Sequence, residues 1–241
     1  MPGSSHVSLS AQITLERRLA TLAINVANMS TVGYRASGVS FHEIVSRTGK
    51  DPVAFASAGK DYITRTSGPL IPTSNPLDVA IQGEGWLAIQ TPRGTVYTRD
   101  GRMRMQPSGA LETIGGYPVL DAGSTPILLD PDAGPPTIAG DGMITQGGRQ
   151  VGAIGLFQIG ADAKFARFEN SGVIPDKPAT PILDFTRNSM VQGSVEGSNV
   201  NPIMEMAKMM MISRNFEGVT GTTAAHESSM KDAIRILGGA S

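Results

Sequence analysis

The sequence contains no cysteine in its 241 residues. That excludes disulfides, thiol catalysis and cysteine-ligated zinc. It suits a chain that enters an oxidising space without needing covalent cross-links there. A surplus of one charge is missing too: 20 Lys+Arg face 21 Asp+Glu, a net charge of −1. Nucleic-acid binding calls for a basic balance, so nucleic acid is excluded as a partner. Charged residues are 17% of the chain, against about 25% in an average soluble domain. Aromatics are only 5%. No apolar run approaches the roughly 18 residues of a membrane span, so no transmembrane segment is expected. No basic residue precedes Arg17 and no continuous apolar core follows Met1, so a cleaved signal peptide is not expected either.

Proline is nearly absent from both ends. After Pro2 the next is Pro52, and after Pro202 there is none. Both ends are therefore free to form long helices, and the proline-rich middle is not. At the N-terminal end Leu15, Leu19, Leu22, Val26 and Met29 recur at steps of three and four, which predicts one apolar helical stripe. Ser8 or Ser10 is the expected cap, and Asn28 with Ser30-Thr31-Val32-Gly33 the expected stop. At the C-terminal end Met209, Ile212, Phe216, Val219, Thr223, His226, Met230, Ala233 and Leu237 continue the same stepping. Asn201-Pro202 places a proline in the first turn, where its missing N–H is harmless. Gly238-Gly239 ends the pattern. A helix over residues 203–237 would be on the order of 50 Å long.

The middle reads as β. Residues 78–81, 86–90, 95–98, 102–105, 117–120, 127–129 and 154–159 are short apolar runs separated by turn formers such as Arg99-Asp100-Gly101 and Pro107-Ser108-Gly109. Many short strands with frequent turns predict an antiparallel sandwich or barrel-like domain. Residues 37–75 look extended, with a strand expected at 62–66, and residues 170–201 look irregular. The expected fold class is mixed α and β: long terminal helices pairing as a coiled coil around a central, turn-rich, all-β antiparallel domain. The expected bounds are a discontinuous helical assembly domain at 1–35 and 200–241, an extended link at 36–75, a β domain at 76–185 and a return link at 186–199. A helix with one apolar stripe cannot bury it alone. Either the two ends pair with each other and with neighbouring chains, or both cover the β domain within one molecule.

Chemistry-bearing motifs are scarce. The histidines are His6, His42 and His226; the second histidine of a zinc-hydrolase pair is missing, because position 230 is Met230. His226 reads as a seam residue. Asp130-Pro131-Asp132 supplies two carboxylates where a calcium loop needs more, and reads as a turn. Gly83-Glu84-Gly85 lacks the context of a phosphate cradle and reads as a turn or bulge, with Trp86 in the core. Met204, Met206, Met209, Met210 and Met211 form a cluster that one stripe cannot hold, which points to core filling or to several neighbours. No nucleophile–base pair and no ligand cluster is visible. Catalytic residues, cofactors, metals and a small-molecule substrate are not expected. The rival to an assembly protein is a secreted β-domain adhesion module with oligomerising helices.

Three motifs carry a resemblance. The segment Ala23-Ile24-Asn25-Val26-Ala27-Asn28-Met29-Ser30-Thr31-Val32-Gly33-Tyr34-Arg35 resembles the N-terminal signature of the flagellar rod and hook protein family, with Ile24 where the family usually has the first asparagine of a pair. Asn75-Pro76-Leu77-Asp78-Val79-Ala80-Ile81-Gln82-Gly83-Glu84-Gly85-Trp86 resembles its central segment, continued by Tyr97-Thr98-Arg99-Asp100-Gly101 and Gly116-Tyr117-Pro118-Val119-Leu120. Glu196-Gly197-Ser198-Asn199-Val200-Asn201-Pro202-Ile203-Met204-Glu205-Met206, followed by Arg214-Asn215-Phe216-Glu217, resembles its C-terminal signature. The resemblance implies a non-enzymatic subunit of the bacterial flagellar basal body, in the proximal rod, with the distal rod as the rival position. It implies export through the flagellar type III apparatus without signal cleavage, assembly in the periplasm, and copies of itself and other rod subunits as partners. It also implies terminal helices packed as an inner tube with the β domain outside. Asn25, Asn28, Gly33, Tyr34, Asn199, Glu205, Arg214 and Glu217 are the motif positions it marks. The residues expected at the assembly interface are Leu15, Leu19, Leu22, Val26, Met29, Met209, Ile212, Phe216, Val219, Met230 and Leu237.

Overall fold

The computed structural model describes residues 2–46, 53–57 and 59–239. The side chain of His226, expected on the helical seam, lies outside the described set. The chain forms two compact units: Met1–Ala27, Ser37–Tyr62 and Asn201–Ser241 make the first, and Asn28–Ala36 with Ile63–Val200 the second.

In the first unit, helix α1 spans Pro2–Ala27 and helix α2 spans Pro202–Leu237. The start of α1 lies upstream of the expected serine caps. Pro2 suits a first turn, and the serines at 8 and 10 are carried inside the helix, with Ser10 accepting from Thr14 Oγ1 at 2.8 Å. The end of α1 falls where the sequence signals it. The start of α2 follows from local chemistry: Asn201 is the N-cap, its Oδ1 accepts from the Met204 N–H at 3.2 Å, and Pro202 occupies the first turn. Gly238 caps the other end, donating to Ile234 O. No helix among the described residues is long and apolar enough to cross a membrane.

The two helices lie against each other. Gln12 Nε2 donates to Thr220 Oγ1 at 3.3 Å, and Asn25 Nδ2 to Glu205 Oε2 at 3.0 Å. The numbering rises on one helix as it falls on the other, so they run antiparallel. Four short strands share this unit: β1 (Ser37–Ser40) pairs with β4 (Lys60–Ile63), and β2 (Glu43–Ser46) with β3 (Val53–Ala56). The strand expected at 62–66 thus lies slightly upstream, as β4.

The second unit is the β domain. Its largest sheet has six strands in the order β15 (Phe165–Phe168), β16 (Gly172–Pro175), β8 (Gly94–Thr98), β7 (Trp86–Thr91), β14 (Leu156–Gln158) and β17 (Thr180–Pro181), paired antiparallel throughout. A three-stranded sheet joins β11 (Thr137–Ile138), β12 (Met143–Gln146) and β13 (Arg149–Ala153). Antiparallel pairs complete the unit: β9 (Met103–Met105) with β10 (Leu111–Thr113), β6 (Val79–Gln82) with β18 (Ser189–Gln192), and β5 (Leu70–Pro72) with β19 (Ser194–Glu196). The core gathers Val79, Ile81, Leu87, Ile89, Val96, Leu111, Val119 and Ile144, among others. Trp86, Leu87, Ala88 and Ile89 are all buried in sequence because β7 is covered on both faces.

Two expectations need correction. Residues 117–120 and 127–129 make isolated bridges rather than continuous strands, among them Glu112↔Pro118 and Leu120↔Pro126. Proline has no N–H to extend a ladder at those points. Residues 170–201, expected irregular, carry β16, β17, β18 and β19. These strands are two to four residues long and pair with distant partners, so their local pattern is too short to register as a period.

Candidate assembly interface

The three motif regions, far apart in sequence, supply one buried cluster in the β unit. Gly33 leaves the N-terminal motif with φ +69°, and a Cβ there would strike the backbone of Arg99 and Asp100. Only glycine satisfies both conditions. Its N–H donates to Glu196 O at 2.7 Å. Next to it, the Tyr34 ring is buried beneath the Arg167 guanidinium, whose carbon stands 4.4 Å from the ring centroid. Asn199 closes the other side: its Oδ1 accepts from the Ala36 N–H at 2.7 Å, and its Nδ2 donates to Thr64 Oγ1 and Thr66 O.

At the centre, Glu196 binds two arginines. Arg35 Nη2 meets Oε1 at 2.7 Å and Arg99 Nη1 meets Oε2 at 3.0 Å. All three residues are at most 2% exposed. The Gly68 N–H adds a bond to Oε1 at 3.0 Å. Arg35 also donates to the carbonyls of Arg65 and Thr66, and Arg99 to that of Gly83 at 2.7 Å. Both guanidiniums lie over the Trp86 ring, at 5.7 and 5.2 Å. Burial pushes the Arg35 guanidinium down to about 10; the Glu196 carboxylate pulls it back up, and Arg99 pushes it down further. Burial lowers Arg99 as well, against the opposing pull of Glu196. Two cations and one anion share a buried site, held by carbonyls and a π face as buried charge requires, while Arg35 Nε and Arg99 Nε are left without a hydrogen-bond partner among the described residues.

A second polar node ties the helices in the first unit. Asn25 is buried and behaves like a piece of backbone toward Ser37: its Nδ2 donates to Ser37 O and its Oδ1 accepts from the Ser37 N–H, both at 2.9 Å. The same Nδ2 reaches Glu205 on α2, which is buried and paired with Lys208 at 2.7 Å. Asn28 shapes the turn after α1, its O and Oδ1 accepting from the Thr31 N–H and Oγ1.

The expected interface residues divide by burial. Leu22 is buried; Leu15, Leu19, Val26, Met209, Ile212 and Val219 are half-buried. Phe216, Met29 and Met230 are exposed, and Leu237 is 87% exposed. From Ala224 to Gly239 every described side chain is exposed. Arg214 and Glu217 are exposed too, and their side chains make no hydrogen bond or ion pair among the described residues. Reasoning from spacing did not single out Arg35, Arg99 and Glu196, although each stands inside a motif. Three residues of strand are too few to mark Glu196 as buried, so no pattern in the sequence pointed to its partners. The acidic Asp130-Pro131-Asp132 segment is a turn, with Asp132 N donating to Asp130 Oδ1 at 3.0 Å.

Residues 6–35 match the family described as flagella basal body rod protein, residues 80–146 the flagellar hook protein FlgE/F/G D1 domain, and residues 191–236 the flagellar basal body rod FlgEFG protein C-terminal family. The flagellar basal-body rod protein FlgF of Mesorhizobium japonicum is 49% identical over 238 residues, covering 99% of both chains. The FlgF of Rhizobium meliloti is 42% identical, covering 97% of both. The flagellar basal-body rod protein FlgG of Bacillus subtilis is 27% identical, over 97% of this chain and 98% of its own. With the N-terminal, central and C-terminal motifs all matched along nearly its full length, the chain belongs to the FlgF family of flagellar basal-body rod proteins.

Proposed function

We propose that this protein is a non-enzymatic structural subunit of the proximal rod of the bacterial flagellar basal body, polymerising through α1 and α2 into a stiff shaft that transmits torque. One observation carries the reading. The apolar stripe of α2 is partly covered as far as Val219 and Thr223, and beyond them Met230, Ile234, Ile236 and Leu237 are exposed. Each large apolar side chain contributes roughly 1.5–3 kcal/mol when fully buried, so a second copy or another rod subunit that covers this stretch gains substantially. In the assembled state the helix pair becomes a coiled coil shared between subunits. In this reading helices α1 and α2 form the assembly part.

The partners in this reading are copies of the chain, the other rod subunits and the flagellar export apparatus. The chain travels to the periplasm without losing an N-terminal signal. The test is Phe216→Glu in the full-length chain. A charge on the half-covered seam is expected to abolish incorporation into the rod while the β unit melts as before. Equal loss of β-unit stability would mean that the helices serve only intramolecular packing.

A further inference from the structure

Five methionines crowd the first three turns of α2, and they lie on more than one side of the helix. Met209 shares the face of Glu205 and Ile212 and is half-buried. Met206 and Met210, four residues apart, form a row beside it, and Met204 and Met211, seven apart, form another on the far side. These last four are 53%, 46%, 60% and 60% exposed, in numerical order. The chain's own packing therefore accounts for one of the five. Methionine fills irregular apolar contacts well, and its thioether is the oxidisable group in a chain with no cysteine.

We infer that Met204, Met206, Met210 and Met211 form a peroxide-sensitive modification site that blocks assembly when oxidised. The inference rests on the reading of the helices as assembly surfaces. The reaction is a two-electron oxygen transfer: the thioether sulfur attacks one peroxide oxygen, the O–O bond breaks, an S–O bond forms, and the peroxide leaves as water. Sulfur is oxidised to the sulfoxide and peroxide is reduced. Each sulfoxide turns an apolar, flexible side chain into a polar one with a strong acceptor. Buried at a subunit contact without a donor, that oxygen opposes association. The modification acts on free subunits, because a seated subunit has these sulfurs covered. The step is reversible by methionine sulfoxide reductases, so it delays incorporation without destroying the subunit.

The buried Met103 and Met190, 2% and 5% exposed, serve as internal controls. The full-length chain is treated with hydrogen peroxide, sulfoxides are mapped by peptide mass spectrometry, and association is followed by sedimentation velocity. The four helix methionines are expected to oxidise roughly tenfold faster than Met103 and Met190. Association is expected to be lost on oxidation and restored by the two reductase classes together. Parent and variant both carry M29L and M230L, which removes the other two exposed interface methionines; the quadruple variant M204L, M206L, M210L and M211L nearly conserves volume and is expected to associate normally and to resist peroxide. Circular dichroism confirms that the variant keeps its helices. Equal oxidation of buried and helix methionines, or equal peroxide sensitivity of variant and parent, overturns the inference. If untreated Phe216→Glu associates as well as the parent, the assembly reading itself has failed and takes this inference with it.

Discussion

Arg35 and Glu196 come from opposite ends of the sequence, and their side chains meet 2.7 Å apart in the buried interior of the β unit. The contact clamps the segment that leaves α1 to the strand that leads toward α2. Arg99, from the central motif, occupies the other carboxylate oxygen. One carboxylate thus holds all three motif regions together.

Breaking that arrangement is expected to be expensive. Glu196→Gln keeps the shape and leaves two buried guanidiniums without a counter-charge, so the β unit should lose about 3–5 kcal/mol. Trp86, the only tryptophan, lies under both guanidiniums and reports the change as fluorescence in a denaturant titration. Asp162→Asn, which removes the exposed ion pair with Lys177, is the control and should leave the midpoint unmoved.

Gly33→Ala combines a left-handed backbone with a collision against Arg99 and Asp100. The conformational part alone is worth about 1–2 kcal/mol, and the collision adds to it. The β unit should therefore melt earlier than in the parent. Gly94→Ala makes the comparison: its φ is also positive, but no atom lies within 4 Å of the added Cβ. If the two variants melt together, the close approach has no energetic weight.

In Asn25→Asp a carboxylate replaces the amide that donates to Ser37 O and to Glu205. Two acids then face each other in a buried site. Loss of a buried hydrogen bond of this kind costs about 1–3 kcal/mol, and the repulsion comes on top. Thermal unfolding followed at 222 nm (the helical signal) should shift down, while Trp86 fluorescence should show the β-unit transition in place. A shift in both signals by the same amount would contradict the assignment of Asn25 to the helix pair.

Amide exchange along α2 should divide at about the position where its side chains lose cover. In the free chain the amides after Thr223 should exchange rapidly, because a helix without tertiary packing is marginal. Those between Glu205 and Val219 should be slower. In assembled rods the distal amides should become protected. Distal protection in the free chain would show that the exposed stripe needs no neighbour.

Local chemistry wrote much of this architecture into the sequence. The scarcity of proline at the ends, the stepping of Leu15 to Val26 and of Met209 to Val219, the Asn201-Pro202 cap and the positive-φ Gly33 all act within a turn or two of themselves. They place both helices and their stops without reference to the rest of the chain. The start of α1 was the weaker case, because several serines competed for the cap and Pro2 suits a first turn equally well.

Pairing across distance was not legible in the same way. β18 finds β6 and β19 finds β5 across most of the β unit, with too few residues in each strand to set up a period. The antiparallel contact of Asn25 with Glu205, and the joint grip of Arg35 and Arg99 on Glu196, depend on which surfaces the folded chain brings together. A charged residue's burial is a property of its surroundings and not of its neighbours in sequence. The motifs marked where these residues stand; the requirement that a buried carboxylate find its cations is met only once the three regions have packed.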